Sequence, residues 1–122
     1  MKKLLLPLLY LPLLFSSCTK EKSSPNINTS DLITITTPGI YFEPSLVTCN
    51  IGDTIIFNLD SNHNALEVNE ENYNNNNAAF IDNGFYFDFG ETGYFIPNES
   101  KTYYYVCAPH LPDMKGVISV LP

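Results

Sequence analysis

Histidine and methionine are scarce in this chain. There are two of each in 122 residues, with three cysteines and no tryptophan. Two imidazoles are too few for a metalloenzyme with several metal centres. One of the two methionines is Met1, so the Met-rich or His-rich tracts of a metal store are missing as well. Basic residues are also few, six against thirteen acidic ones, for a formal net charge of −7. That balance argues against binding to nucleic acid or to anionic lipid headgroups. Helical periodicity is nearly absent, which excludes a parallel α/β sheet with crossover helices. No nucleophile motif supports a serine hydrolase, and no internal repeat is visible. The longest apolar run, Leu4 to Phe15, is twelve residues interrupted by Pro7 and Pro12, too short to span a bilayer.

That run has another reading. Lys2 and Lys3 form a basic leader to it, and the whole reads as a secretory signal over residues 1–17. Phe15, Ser16, Ser17 and Cys18 resemble the lipobox of bacterial lipoproteins. The resemblance implies cleavage before Cys18 and lipid on its sulfur. Residues 18–30 are polar and hold Lys, Ser, Asn and Pro25, the composition of a flexible tether. The expectation is an exported bacterial lipoprotein, at the periplasm or cell surface and bound to a membrane through that lipid. The processed chain would keep four lysines against thirteen acids, a charge of −9.

Residues 31–122 read as one domain. Alternating β-branched residues at Ile33–Thr36 predict a half-buried strand, followed by a turn at Pro38 and Gly39. Leu46–Cys49 predicts a strand with Val47 and Cys49 facing inward. Thr54–Leu59 is a further strand, and a turn at Asp60–Asn62 delivers His63 to the start of Ala65–Val68. Residues 69–79, rich in Asn and Glu, read as a surface loop with one helical turn around Glu70–Tyr73. Phe80 to Phe95 holds seven aromatics broken by glycines, consistent with short, turned strands. Lys101–Val106 and Lys115–Leu121 close the set. Seven or eight short strands with turns between them predict an all-β sandwich.

The chemistry concentrates in one stretch. Cys107, His110 and Met114 put a thiolate, an imidazole and a thioether within eight positions, at the end of an aromatic strand. Pro109 and Pro112 stiffen the connection. His63, the other histidine, sits at the end of the Thr54–Leu59 strand and reaches the same pole if the two strands are neighbours. Taken singly these residues are bland: a solvated turn histidine, a core methionine, half of a disulfide. Together, two His, one Cys and a weak Met make the trigonal donor set of a type 1 copper site. Soft sulfur favours Cu(I) and imidazole suits both oxidation states. A Cys49–Cys107 disulfide is the structural alternative outside the cytoplasm, and it would abolish such a site.

The order of motifs resembles a small cupredoxin of the plastocyanin, amicyanin and pseudoazurin type, over about residues 33–121. Phe42 and Pro44 come first, then Gly52, Asp53 and Thr54, then His63 and Asn64. Tyr105, Cys107 and His110 follow, then Met114 and Gly116. The segment between His63 and Cys107 resembles that of plastocyanin-like bacterial lipoproteins. The resemblance implies one copper ion held by His63, Cys107 and His110, with Met114 axial. It implies that Asn64 braces the ligand loops near the thiolate. It also implies a Greek-key sandwich and one-electron transfer, with the His110 edge at the surface. Leu111 and Pro112 beside that edge are either part of an apolar docking patch or ordinary loop residues. Cys49 falls where the family has a buried apolar residue, and an unpaired thiol there behaves as a small hydrophobe. One departure is the spacing from His110 to Met114, one residue shorter than in plastocyanins and one longer than in amicyanins. The expected function is a membrane-anchored, non-enzymatic carrier of single electrons. It would act as a monomer between redox protein partners, one of them a basic cytochrome. Copper storage or delivery is the alternative.

Overall fold

A computed structural model describes residues 30–122; the expected signal segment, Cys18 and all but the last residue of the tether lie outside it. Nine strands and one short helix follow in order. They are β1 (Leu32–Gly39), β2 (Tyr41–Glu43), β3 (Leu46–Asn50), β4 (Thr54–Asn58), β5 (Ala65–Val68) and α1 (Glu70–Asn74). Then come β6 (Tyr86–Phe87), β7 (Thr92–Phe95), β8 (Thr102–Val106) and β9 (Lys115–Leu121). They form two sheets, ordered β2-β1-β4-β7 and β3-β9-β8-β5-β6. This is the expected all-β sandwich. It has nine strands instead of seven or eight because β2 and β6 are pieces of two or three residues. From β2 to β3, β3 to β4, β4 to β5, β6 to β7 and β7 to β8 the chain crosses between sheets, as a Greek key requires.

Period-two burial places the core. In β3, Val47 and Cys49 face inward and Leu46, Thr48 and Asn50 outward; β4 and β9 alternate in the same way. Aromatic rings fill much of the space between the sheets. Phe57 lies 4.7 Å from Phe87, 5.3 Å from Phe85 and 5.2 Å from Tyr105, while Phe42 meets Tyr105 at 4.7 Å. Pairs of this kind contribute about 0.5–1.5 kcal/mol each beyond the area they bury. Tyr105 also lies over Gly116, its partner across the β8–β9 ladder, so closely that a Cβ at position 116 would run into the end of its ring.

Two parallel pairings, β1 with β4 and β3 with β9, set the polarity of the sandwich. Asp53 fixes one end of it. Its carboxylate accepts from the Asn50 N–H at 2.8 Å and the Asp31 N–H at 2.9 Å, joining the β3–β4 turn to the start of β1. Gly52 in that turn has φ 89°, a left-handed conformation that glycine adopts without steric cost. At the other end lie Gly39, the turn at Ser61–Asn62, and His63 and His110.

β5 is buried on both faces. Ala65 belongs to the main core, whereas Leu66 and Val68 join Val106 in a second cluster outside the sheet. That cluster is covered by Tyr73 of α1 together with Ala78, Tyr104, Ala108 and Leu111. The helical turn expected at Glu70–Tyr73 is present, but it is packed on the sheet and is more than surface loop. Asn69 caps it, its Oδ1 accepting from the Asn72 N–H at 2.7 Å, and Glu70 and Glu71 sit favourably in its first turn.

Candidate metal centre

Strand ends bring the donors together. His63 follows β4 and its turn, with its backbone N–H donating to the Asp60 carbonyl at 3.0 Å. β8 ends at Val106, and Cys107 stands directly beyond it, paired to the other side of the loop by its N–H to the Met114 carbonyl at 3.0 Å. Ala108–His110 forms a single 3₁₀ turn with Pro109 inside its start, where the missing N–H costs nothing. His110 is tied to Cys107 by its N–H at 3.2 Å, and the N–H groups of Asp113 and Met114 both donate to the His110 carbonyl at 3.0 Å. The loop therefore has a backbone frame of its own.

The side chains converge. His63 Nδ1 and His110 Nδ1 are 3.2 Å apart, and Cys107 Sγ lies 3.3 Å from the His110 nitrogen and 3.8 Å from that of His63. These three atoms are the one group of three metal-ligating donors among the described residues. Such separations are those of atoms sharing one ion at bonds of about 2.0–2.3 Å. Two imidazoles and a thiolate in a triangle are the donor set that a type 1 copper takes, so the residues present fit that ion. Met114 is buried completely in the same core cluster as Cys107. Asn64 is buried beside the site, and its Oδ1 accepts from the Ala108 N–H at 2.9 Å, joining the His63 segment to the Cys107 loop.

Electrostatics act in opposite directions on two of the donors. Burial, and then the neighbouring His110, hold the His63 imidazole below its ordinary pKa, with Asp60 opposing. Burial pushes the Cys107 thiol up, opposed by backbone N–H groups of Asn64 and His110. The thiol must lose its proton to ligate, so metal uptake releases a proton and weakens in acid. Cys49 and Cys107 are both free thiols. The disulfide alternative is thus absent, and Cys49 is an inward residue of β3, held above its ordinary pKa by burial and then by Asp53.

His63 is only 6% exposed, whereas His110 is partly exposed. The two rings line an open depression with Gly39, Ile40, Ser61, Asn62, Phe89 and Pro109. Ile40 and Phe89 are 57% and 49% exposed. The apolar surface near His110 therefore comes from these loops. Leu111, expected beside a docking patch, is partly buried as His110 is, and packs against the cluster of Leu66, Val68 and Val106. Ile40 and Phe89 lie far apart in sequence, and no local pattern marks them; only strand pairing brings Gly39 and Gly90 to the same pole as His63.

Comparison with known proteins agrees with this geometry. A pseudoazurin from Sinorhizobium meliltoi superposes with a TM-score of 0.58 at 22% identity, over 75% of each chain. A reduced amicyanin variant gives 0.54 at 22% identity, over 74% of this chain and 82% of the other. Auracyanin A, a blue copper protein of Chloroflexus aurantiacus, gives 0.51 at 18%, over 74% and 98%. A copper-containing nitrite reductase from Thermus scotoductus also matches at 0.54 and 21%, but this chain spans only 22% of its length. No curated protein matches the sequence. The family described as copper binding proteins, plastocyanin/azurin family, matches residues 29–121. With that match over most of its length, the chain belongs to the plastocyanin/azurin family of copper-binding proteins.

Proposed function

We propose that this protein is a single-electron carrier, held to a membrane through Cys18 and exchanging electrons with a soluble partner at the His110 pole. One observation carries the reading. His63, Cys107 and His110 converge on one point with only the outermost imidazole reaching the surface. His63, Cys107 and His110 would hold copper there, and the ion would supply a one-electron couple. Met114 is the fourth, weak ligand in this reading, and its complete burial keeps water from that side. The chain's own contribution is to hold the donors. The loop's backbone bonds and the Asn64–Ala108 bridge limit how far they move between oxidation states. Small movement means low reorganisation and fast transfer. Both histidines serve this one centre, which supports a carrier over a catalyst.

The surface supports the partner's character. Ile40, Phe89 and Pro109 present an apolar surface around the His110 edge, and the exposed acids Asp60, Asp88, Glu91 and Asp113 flank it in sequence. The described residues hold only two basic side chains. Lys101 lies 3.7 Å from Glu99, and Lys115 is held by Tyr73. A monomer with this pole suits a redox protein carrying a basic rim, such as a cytochrome. The anchor suits the same orientation. The described residues begin at the end of β1 opposite the depression. An exported protein anchored there keeps its His110 pole free.

The test is the visible spectrum after one equivalent of Cu(II). An intense thiolate-to-copper band, lost in Cys107→Ala, supports the carrier. A colourless protein that binds Cu(I) tightly would replace it with copper delivery.

A further inference from the structure

We infer that Tyr73, in the polar segment between the two ligand-bearing strands, is a positioning residue for the metal-binding loop 107–114. It grips the loop's surroundings at both ends. At one end is Lys115, the neighbour of Met114. Its ammonium donates to the Tyr73 carbonyl at 2.9 Å and lies 4.2 Å over the centre of the Tyr73 ring. At the other end, Leu111, the neighbour of His110, packs against the same cluster of Leu66, Val68 and Val106 that Tyr73 covers. A third contact reaches the strand that leads to Cys107: the Tyr73 ring lies 5.0 Å from that of Tyr104.

Tyr73 is itself fixed. Its N–H donates to the Asn69 carbonyl at 2.9 Å, and Asn69 is the residue that caps α1. The Asn75 N–H closes the helix on the Glu71 carbonyl at 2.9 Å, and Asn76 turns the chain away with φ 54°, which asparagine tolerates. The lysine is the telling partner. The described residues hold many carboxylates, yet Lys115 pairs with none of them; the one ion pair there is Lys101–Glu99. It is half-buried and directed to a carbonyl and a ring face, an arrangement that fixes direction as well as charge. The loop's inner bonds run from Cys107 to His110 and Met114, and leave its outer side to be held from elsewhere. Tyr73 supplies that hold, so the polar segment helps set where His110 and Met114 stand.

Tyr73→Ala, Tyr73→Phe and Lys115→Met test this in the full chain. In the metal-free protein, amide hydrogen exchange of residues 108–114 should speed up on the order of fivefold in Tyr73→Ala and Lys115→Met. That is the effect of losing one charge-assisted hydrogen bond or ring contact. Tyr73→Phe keeps both the ring and the carbonyl and should exchange like the parent. In the Cu(II)-loaded protein the first two variants should shift the relative intensities of the thiolate-to-copper bands, which a purely structural cover would not move. Unchanged loop exchange and unchanged bands in a folded Tyr73→Ala overturn the inference. Should Tyr73→Ala fail to fold, Lys115→Met leaves the ring in place and decides alone. The spectroscopic arm rests on the copper reading. If the parent shows no copper band that reading fails, and the metal-free exchange still decides the role of Tyr73.

Discussion

Replacing Tyr105 by phenylalanine removes a hydroxyl that the folded protein buries without a partner. Tyr105 is fully buried, and its Oη is the one buried side-chain polar atom among the described residues with no hydrogen bond. Burial drives its pKa far above the usual phenol range, so it is neutral at every working pH. The rings around it are Phe42, Phe57 and Phe85, Gly116 lies at its hydroxyl end, and none of them accepts a hydrogen bond from it. Stripping water from a hydroxyl without replacing the bond costs about 1–3 kcal/mol. Deleting the oxygen leaves a void on the order of 10–15 Å³, worth only about 0.3 kcal/mol at roughly 24 cal/mol per Å³. The desolvation effect wins, and Tyr105→Phe should stabilise the fold by about 1–2 kcal/mol. For a domain of this size that raises Tm by at least about 4 °C. Urea unfolding of the metal-free protein gives the same quantity as a shift in midpoint at constant slope. A loss of stability exceeding about 1 kcal/mol would refute the reasoning, because it would mean that the hydroxyl holds a partner such as a buried water. The copper band should not change, since the ring itself stays in place.

Two further outcomes follow from other buried polar groups. Glu67 is 5% exposed, and its Oε2 accepts from the Phe85 N–H at 3.0 Å; burial above all raises its pKa from the ordinary value near 4.5. The folded state thus holds this proton more tightly than the unfolded chain. Its stabilising contribution is complete below about pH 4.5 and is lost as pH rises through the raised value. Glu67→Gln keeps the acceptor without the charge, so thermal melts should show a higher Tm at pH 7.5 and no difference at pH 4; an equal gain at both would sink the explanation. Asn64→Ala removes the acceptor for the Ala108 N–H, and chemical denaturation should show a loss of about 1–3 kcal/mol. The copper band should broaden or shift in the same variant, and an unaltered spectrum would assign Asn64 a purely structural part.

The strands were legible where one face is wet and the other dry. Leu46–Asn50 and Thr54–Asn58 announce their inward residues by alternation, and the observed burial follows it. The donors were legible because three of them fall within one loop, with spacing that has chemical meaning. Residues 69–79 were harder. Their run of Asn and Glu signals solvent, and only Tyr73 and Ala78 hint that one side is covered. Leu111 is a related case: beside a partly exposed histidine, its packing on the cluster of Leu66, Val68 and Val106 carries no local signal. Ile40 and Phe89 carry no local signal, since their proximity to His110 exists only after the sheets have formed.

The parallel pairing of β3 with β9 bears on when the metal can enter. Val47 aligns with Ile118, about seventy residues later, so the five-stranded sheet stays open until the last strand arrives. Contacts of that range form slowly, because loop closure is unfavourable until the pairing is made. The ligand loop is the segment immediately before β9, and Cys107 and Met114 are bonded to each other across its base. Docking of β9 therefore closes the barrier between an unfolded chain with scattered donors and a preassembled triangle. The preassembled triangle depends on the last strand. A chain cut short before Lys115 would contain every ligand and still have no site.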